Sequence, residues 1–248
     1  MSEITIGLLG FGTVGSAVHR LLAESSHSIE RVTGRPVRVG RALVRDPARH
    51  GAAPDGLLTT SFADLRDDPE IQVVAEVMGG ISPTREHVLE LLRAGKSVVS
   101  ANKQLLARHG EELFTTAEQH GVQLRFEASV CAAIPVIKVL RESMIVSDVH
   151  GIDGIVNGTT NFILSQMISR GATYAEALAE AQQLGYAEAD PTEDVNGADA
   201  AAKIAILASV AFHTRVRLEE VPRTGIDTLD LADVQHAANR ADAISLTA

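Results

Sequence analysis

The sequence predicts an α/β protein in two parts: a parallel-sheet domain over residues 1–130 and an α+β domain over residues 131–248. Three observations support this division. Up to about residue 130, short apolar runs alternate with amphipathic segments. A glycine-rich turn follows the first apolar run, and helical spacing dominates after Cys131. Strands that alternate with helices form parallel sheets whose crossover helices cover the faces, so the first domain should have that architecture.

The periodicity assigns each element of the first domain in order. Strands are predicted for ITIGLL, VRVGRALVRD, IQVVAEVMGG, SVVSANK and VQLRFEAS. Helices are predicted for VGSAVHRLLAESS, SPTREHVLELLRAGK and GEELFTTAEQHG. In the second domain the predicted helices are IPVIKVLRESM, TNFILSQMISRG, TYAEALAEAQQLG, ADAAAKIAILASVAF and LADVQHAANRADAISL, with one strand candidate, VHGIDGIVNG.

Composition narrows the classes of partner and compartment. The 248 residues are 45% hydrophobic and carry a net charge of -10, which argues against general affinity for nucleic acid or an anionic membrane surface. The single cysteine allows no internal disulfide, which is typical of a reducing compartment. We expect a cytoplasmic protein, because no basic leader and no apolar stretch of about 20 residues is found.

The glycine-rich turn has the dinucleotide-binding pattern in its required context, after a strand and before a helix. It consists of Gly10, Phe11, Gly12, Thr13, Val14 and Gly15. Gly10 permits the tight turn, Gly12 lets a pyrophosphate approach the backbone, and Gly15 lets helix and strand pack closely. The helix N-terminus then offers N–H groups to the phosphates. We therefore predict a Rossmann-type nucleotide site, the alternative being a tight turn without a ligand.

The end of the second predicted strand bears on the choice of cofactor. An acid at this position usually binds the ribose hydroxyl groups of NAD. Here Arg45 stands at the strand end with Arg49 nearby, and both would suit the 2′-phosphate of NADP. Asp46 could still bind a plain ribose, and both arginines could be solvated surface charges. We expect NADP, with NAD as the alternative.

Two lysines are candidates for chemistry. Lys103 ends the SVVSANK strand, where parallel sheets bind ligands, although a surface lysine would show the same spacing. Asp199 and Lys203 are four residues apart and share a helix face. The alanine and isoleucine neighbours of Lys203 indicate partial burial, and a buried ammonium group needs partners. The alternative for this pair is an ordinary exposed ion pair.

Acids are crowded just upstream of that helix. They are Glu188, Asp190, Glu193 and Asp194. Acids at a helix N-terminus also favour the helix dipole, which is their simpler explanation. Further upstream, Asn157-Gly158 is typical of a turn, and Thr159 or Thr160 is expected to cap the next helix. By itself this segment is interpreted as turn chemistry.

Taken together, GFGTVG, VSANK, EASV followed by IP, NGTTNFIL and GYAEADPTEDVNGADAAAKIAIL resemble the homoserine dehydrogenase family. The matches occur in order over nearly the whole chain. The resemblance implies NAD(P)-dependent interconversion of L-aspartate 4-semialdehyde and L-homoserine, a small-molecule reaction on the route to threonine, methionine and isoleucine. Family members usually continue past the final LTA, so the resemblance also implies a chain shortened at its C-terminus.

The resemblance further implies a role for individual residues. Phe11, Thr13 and Val14 would contact the cofactor, and Lys103 would lie by the nicotinamide and the substrate. Gly185, Glu188 and Asp199 fall on substrate-binding positions, and Asp194 matches a further acid of that site. Lys203 falls on the proposed general acid. Backbone carbonyls of Glu127, Val130, Ala132 and Ile134 would bind a monovalent cation such as sodium.

The chain departs from the family pattern at one point. The family usually has glycines where this chain has Cys131-Ala132-Ala133, which puts the cation site in question. The second domain, with few strands and open sheet edges, is expected to form a homodimer, as the resemblance also implies. Two alternatives to the enzyme stay open. One is a non-catalytic relative that binds nucleotide or partners only, and the other is a Rossmann dehydrogenase for a different aldehyde or amino acid.

Overall fold

The computed structural model describes residues 3–239, and side chains as far as residue 236. The chain forms two compact units that divide between Val136 and Ile137. The sequence places a division after residue 130, and the assignment of separate roles to two domains remains a prediction. The part of the last predicted helix beyond residue 239 lies outside the described residues.

A sheet of six parallel strands forms the first unit. In chain order the strands are β1 (Ile4–Leu9), β2 (Val37–Leu43), β3 (Leu58–Thr59), β4 (Ile71–Glu76), β5 (Ser97–Ser100) and β6 (Leu124–Arg125). Their spatial order is β3-β2-β1-β4-β5-β6. This is the order of the doubly wound dinucleotide-binding sheet, and it reverses direction at β1. The α/β fold class predicted from the sequence is confirmed.

Helices connect the strands of this sheet. They are α1 (Thr13–Glu24), α2 (Ser26–Thr33), α3 (Ala63–Arg66), α4 (Thr84–Arg93) and α5 (Lys103–Gln119). The sequence did not predict α2, because SHSIERVT is short and polar and buries no residue. Gly34 ends α2 with a φ of 71° and a backbone N–H bond to Glu30, an ending that glycine permits most easily.

Apolar side chains on one face of the sheet hold α1 in place. The buried members of this cluster are Leu8, Phe11, Val39, Ala42, Val44 and Leu57, and Val18 and Leu22 of α1 pack against them. Because α1 contributes its apolar stripe to the core, its first turn is fixed at the end of β1. The sheet thereby positions the glycine-rich turn that joins β1 to α1.

The glycines of that turn meet different local demands. Gly10 has a φ of 104°, and a Cβ there would lie 3.0 Å from the carbonyl oxygen of Val77. A Cβ on Gly15 would overlap the carbonyl oxygen of Gly10. At Gly12, by contrast, a Cβ would have no atom within 4 Å. The chain itself therefore requires glycine at positions 10 and 15 but not at position 12.

Helices make up the regular structure of the second unit. They are α6 (Val136–Lys138), which begins at the division, a π-helical turn (Val139–Ser143), α7 (Gly158–Arg170), α8 (Tyr174–Gln183), α9 (Thr192–Val195), α10 (Ala198–Ala211) and α11 (Leu231–Asn239). A core formed mainly by α7 and α8 includes Ile163, Met167, Ala177 and Ala181, all inaccessible to solvent. Val195 and Ile226 join this core, and the N–H of Ile226 donates to the carbonyl of Val195.

The strand predicted for VHGIDGIVNG does not form. Residues 148–157 have no regular secondary structure, and in the described part of the second unit no strand is present to pair with them. A strand needs a neighbour because its N–H and C=O groups point sideways along the sheet. An apolar pattern alone therefore does not make this segment extended.

Among the helices of residues 3–239, none is long and apolar enough to cross a membrane.

Substituting Gly15 and Gly12 one at a time should distinguish a glycine that the fold requires from one that leaves room for a ligand. We expect Gly15→Ala to lower the free energy of unfolding by about 3 kcal/mol, because the added methyl group overlaps backbone that cannot rotate away. Gly12→Ala should change it by less than about 0.5 kcal/mol, since the methyl group enters open space. Denaturant unfolding of both variants measures this, and equal losses would contradict the assignment.

Candidate functional site

The turn between β1 and α1 lies at the carboxyl edge of the sheet, where ligands of such folds bind. Gly12, Thr13 and Val14 are exposed there at the N-terminus of α1. The first-turn N–H groups of a helix have no intrahelical partner, and they carry a partial positive charge. The side chain of Phe11 is buried and meets the rings of His19 and His50 edge-on at 5.9 Å. Phe11 therefore offers a ligand its backbone rather than its ring.

Asp46 and Arg45, the two candidates for contact with the ribose end of the cofactor, lie in different environments after β2. Asp46 caps a short 3₁₀ turn by accepting from the N–H of Ala48 at 3.0 Å, and it lies 3.7 Å from Nε of Arg49. Arg45 is exposed and forms no ion pair within the described residues. The acid is thus engaged by its own turn, whereas the guanidinium group of Arg45 faces solvent.

Lys103 is the first residue of α5, directly after β5. Asn102 caps this helix, because its side-chain oxygen accepts from the N–H of Leu105 at 3.0 Å. The cap explains why the helix begins there, and it fixes the backbone of Lys103 at the carboxyl edge. The predicted strand is shorter than expected, because β5 ends at Ser100 and Lys103 begins α5 after the Asn102 cap; Lys103 still lies at the carboxyl edge of the sheet, and its role stays a prediction.

A cavity of about 550 Å³ opens in the second unit. It is lined by Asn157, Gly158, Thr159, Asn161, Phe162, Ser165, Tyr186, Asp194, Asp199 and Lys203. Three of these belong to the predicted site: Asp194, Asp199 and Lys203. The first turns of α7 and α10 thus meet at one cavity that combines two carboxylates, one ammonium group and an aromatic pair, Phe162 and Tyr186.

Lys203 and Asp199 form a close ion pair on α10. Nζ of Lys203 lies 2.7 Å from Oδ2 of Asp199, and it also donates to the carbonyl oxygen of Val156 at 2.6 Å. The two side chains are 17% and 6% exposed. The expected partial burial is therefore present, and the ordinary exposed pair is ruled out. Two of the three N–H groups of the ammonium are used, and the third remains for a ligand in the cavity.

Asn157 organises the two acids. Its amide nitrogen donates to Oδ1 of Asp194 at 2.8 Å and to Oδ2 of Asp199 at 2.9 Å. Its amide oxygen accepts from the N–H of Thr160 at 2.9 Å and from the Thr160 hydroxyl at 3.1 Å. All hydrogen-bonding capacity of this buried side chain is used, and reversing the amide would break every bond.

The structure of this segment differs from the prediction in its helix cap and adds a contact that was not predicted. Asn157, not Thr159 or Thr160, is the N-cap of α7, because its side chain is the one that reaches the free N–H. Its contact with the acids was missed, since these lie 37 and 42 residues away in sequence. The Asn-Gly turn signal was visible, but nothing local indicated its partners.

Two predicted substrate positions lie elsewhere. Gly185 and Glu188 are exposed, and neither is among the described residues that line the cavity. Tyr186, between them, does line it, and its carbonyl oxygen accepts from the hydroxyl of buried Thr159 at 2.7 Å. The segment is thus tied to the cavity through Tyr186, while the roles of Gly185 and Glu188 remain predictions.

The predicted cation-binding segment follows β6 in the first unit. Cys131 and Ala132 have φ values of 56° and 50°, a left-handed conformation that favours glycine. The carbonyl of Glu127 accepts from the N–H of Val130 at 3.4 Å, and that of Ile134 accepts from Val136 at 2.8 Å. Across residues 3–239, no three His, Cys, Asp or Glu side chains gather as a metal site.

The strand order, the open glycine turn and its position at the carboxyl edge define a Rossmann-type fold of the dinucleotide-binding class. Comparison with known families gives a narrower assignment. Residues 10–127 match the family model of the homoserine dehydrogenase NAD-binding domain, and residues 135–248 match that of homoserine dehydrogenase. The chain belongs to the homoserine dehydrogenase family.

Individual relatives agree with this assignment. The homoserine dehydrogenase of Corynebacterium glutamicum is 50% identical over 100% of this chain and 56% of its own length. The crystal structure of the Thiobacillus denitrificans enzyme superimposes with a TM-score of 0.93 at 46% identity, covering 97% of this chain and 56% of that one. A hyperthermophilic archaeal homoserine dehydrogenase in complex with NADPH gives 0.80 at 31% identity, covering 93% and 76%. The chain spans about half the length of the curated relatives it matches.

Replacing the Asn157 amide by a carboxylate tests whether this side chain holds Asp194 and Asp199 in place. Asn157→Asp keeps an acceptor for the α7 cap but loses both donated bonds and places a third negative charge beside two others. We expect a loss of about 2–4 kcal/mol of unfolding free energy at pH 7.5. Like charges raise carboxyl pKa values in the folded state, so part of the loss should be recovered as the pH falls towards 5.

The matched control is Asn157→Ser, which retains a capping oxygen and adds no charge. Its loss of stability should depend on pH less than that of the aspartate variant, because it removes the donated hydrogen bonds without adding a like charge; urea unfolding at both pH values measures this. If the aspartate variant showed no recovery relative to the serine variant, the two acids would not be held by this amide.

Proposed function

We propose that the chain interconverts L-aspartate 4-semialdehyde and L-homoserine with a nicotinamide dinucleotide. The observation that carries this proposal is the cavity in which Lys203, Asp199 and Asp194 converge on Asn157. Retention of this arrangement argues against the non-catalytic alternative, because a fold alone gains little from a half-buried lysine beside two acids. A dehydrogenase for an aldehyde without an ammonium group would gain nothing from the second acid.

Charge balance supports an amino-acid substrate. The cavity contains two carboxylates and one ammonium group, so a second ammonium group would neutralise the remaining charge. The carboxylates of Asp194 and Asp199, which both line the cavity, are the groups that would accept from it. The Asn157 amide holds both acids in place before a ligand arrives, which lowers the entropy lost on binding.

The proposed proton donor is Nζ of Lys203. When bound, the nicotinamide supplies a hydride to the aldehyde carbon of the semialdehyde. As the carbonyl bond opens, Lys203 donates the proton that converts the developing alkoxide into the homoserine hydroxyl. Asp199 and the carbonyl of Val156 orient the ammonium group, so its remaining N–H is directed to the ligand. In the reverse direction the neutral amine accepts that proton.

The residues of the first unit fit the cofactor. The space in front of Gly12, which a Cβ would fill, leaves room for a pyrophosphate against the N-terminus of α1. We favour NADP over NAD, because Asp46 is engaged in its own turn while Arg45 is exposed. Lys103 is proposed to contact the nicotinamide half from the start of α5.

We further propose a sodium ion in the first unit and a dimer formed by the second. Carbonyl oxygens of Glu127, Val130, Ala132 and Ile134 are suitable hard donors for sodium. The left-handed backbone at position 132 shows that an alanine can hold a conformation that glycine usually provides. We propose a homodimer through the second unit, because the apolar side chains of Ile145, Val146 and Ile155 are 63%, 92% and 72% exposed. We retain the cytoplasm as its predicted compartment.

Removing the ammonium group tests the proton donor. Lys203→Ala should lower kcat for homoserine oxidation by roughly 10²–10⁴, the usual range for a general acid or base. Its affinity for NADPH should not change, because the glycine turn belongs to the first unit. Lys203→Arg should not restore the rate, since a guanidinium group hardly releases its proton. Steady-state kinetics and nucleotide titration measure both effects.

Lys138→Ala is the control, an exposed lysine of the same unit outside the cavity. It should retain the activity of the unmodified chain. A Lys203→Ala variant with unchanged kcat would mean that the ion pair is only structural.

Cofactor choice depends on the arginine at the end of β2. Arg45→Ala should lower the ratio of NADP to NAD affinity by roughly ten- to a hundredfold, the loss of one charge-assisted hydrogen bond to phosphate. The exposed Arg93 at the end of α4 provides the control, and Arg93→Ala should leave the ratio unchanged. Titration with both nucleotides decides, and an unaltered ratio in Arg45→Ala would remove the basis for NADP.

Sedimentation equilibrium tests the assembly. At micromolar concentration we expect the mass of a dimer, and Val146→Asp should shift it towards the monomer because a charge at an apolar interface lacks a partner. Glu142→Lys is the control, because it changes a charge on the preceding turn without placing one among Ile145, Val146 and Ile155. It should leave the dimer mass unchanged. A monomer for the unmodified chain would refute this proposal.

A further inference from the structure

A fully buried carboxylate lies at the end of β4, in the first unit. Glu76 is 0% exposed, and no cationic side chain of the described residues pairs with it. Its Oε2 accepts from the hydroxyl of Ser100 at 2.6 Å. Its Oε1 accepts from the N–H groups of Met78 and Gly79, both at 3.1 Å. The side chain therefore bonds to the neighbouring strand and to the loop that follows its own strand.

Such a group is costly to bury. Desolvation raises the pKa of the Glu76 carboxyl, and the hydrogen bonds from Ser100 and the two loop amides oppose that rise. A buried acid without a counter-ion is rarely retained for stability, because an apolar or amide side chain would do as well. A role in placing other groups is the better explanation.

The hydrogen bonds of Glu76 continue into a closed ring. The hydroxyl of Ser100 also accepts from the N–H of Asn102 at 3.1 Å. The amide nitrogen of Asn102 in turn donates to the carbonyl of Gly80 at 2.7 Å, which returns to the loop that Glu76 holds. The ring thus joins the end of β4, the loop of residues 77–80 and the end of β5.

Two parts of the nucleotide site rest on this ring. The loop of residues 77–80 packs directly against Gly10, since the Val77 carbonyl and the Met78 backbone are the atoms that a Cβ there would meet. On the other side, Asn102 caps α5 and so fixes the backbone of Lys103. Both lie on the β4 and β5 side of β1, whereas the adenosine half of a dinucleotide lies on the β2 side.

We propose that Glu76 is a positioning residue for the nicotinamide half of the cofactor: through Ser100, Asn102 and the loop of residues 77–80 it sets where Gly10 and Lys103 stand. This inference rests on dinucleotide binding by the first unit, to which the family match assigns an NAD-binding domain. It does not depend on the reaction proposed for the second unit.

The test compares a whole dinucleotide with its adenosine fragment. Glu76→Gln preserves shape and removes the charge, and Ser100→Ala removes the hydroxyl that joins β4 to β5. We expect either change to weaken NADPH binding by roughly tenfold, since small misplacements of binding groups have effects of this size or larger. Binding of 2′,5′-ADP should change by less than about twofold, because the β2 side is untouched. A merely structural role would weaken both ligands alike.

Ser97→Ala is the matched control, because Ser97 lies on the same strand at its opposite end, where its hydroxyl accepts from the N–H of Gln123. It should leave both affinities unchanged. Unaltered NADPH binding in Ser100→Ala and Glu76→Gln, or an equal loss for both ligands, would overturn the proposal. If Glu76→Gln does not fold, Ser100→Ala decides alone.

Amide exchange in the nucleotide-free chain provides a readout that needs no ligand. The N–H groups of Met78 and Gly79 should exchange faster in both variants and at the original rate in Ser97→Ala. Exchange that stayed slow at both amides would refute the ring as the support of this loop. If the unmodified chain bound neither nucleotide, the cofactor proposal would be refuted. Amide exchange would still test whether the hydrogen-bonded ring holds the loop of residues 77–80.

Discussion

Buried charge must be compensated, and this constraint shapes both units. A carboxylate or ammonium group loses its water on burial and remains ionised only if partners replace that water. In the second unit the compensation is reciprocal, because Lys203 and Asp199 neutralise each other and the Asn157 amide donates a further hydrogen bond to Asp199. In the first unit the described donors to Glu76 are all neutral, so their hydrogen-bond geometry must compensate for the missing counter-ion. Each arrangement fixes the ends of several elements at once.

The predictable parts of the fold were those encoded locally. Apolar runs of period 2 and helical spacing gave the alternation of the first unit, and glycines at positions 10, 12 and 15 located the turn. Spacing alone also paired Asp199 with Lys203, because residues four apart share a helix face. The weak signal of α2 was missed for the same reason, since no apolar stripe marks it.

What could not be predicted depends on contacts between distant segments. In the sequence Asn157 is an ordinary turn residue, and its role depends on contacts with α9 and α10. Glu76 is the polar end of a strand, and its role depends on the neighbouring strand β5. The apolar pattern of residues 149–158 was misleading in the opposite way, since a strand also depends on a neighbour. Polar residues have many possible partners, so their roles follow from topology rather than from spacing.

The unequal demands on the three glycines have a consequence for the history of the chain. Drift that spares the fold must keep glycine at positions 10 and 15, where a side chain meets backbone. At position 12 a Cβ would meet no atom, so glycine there serves only the N-cap of α1, where it is preferred over alanine, and the space for a bound pyrophosphate. A lineage that had ceased to use nucleotides would be free to lose Gly12 first. Gly10 and Gly15 therefore indicate only the fold, whereas Gly12 indicates a turn that binds a nucleotide.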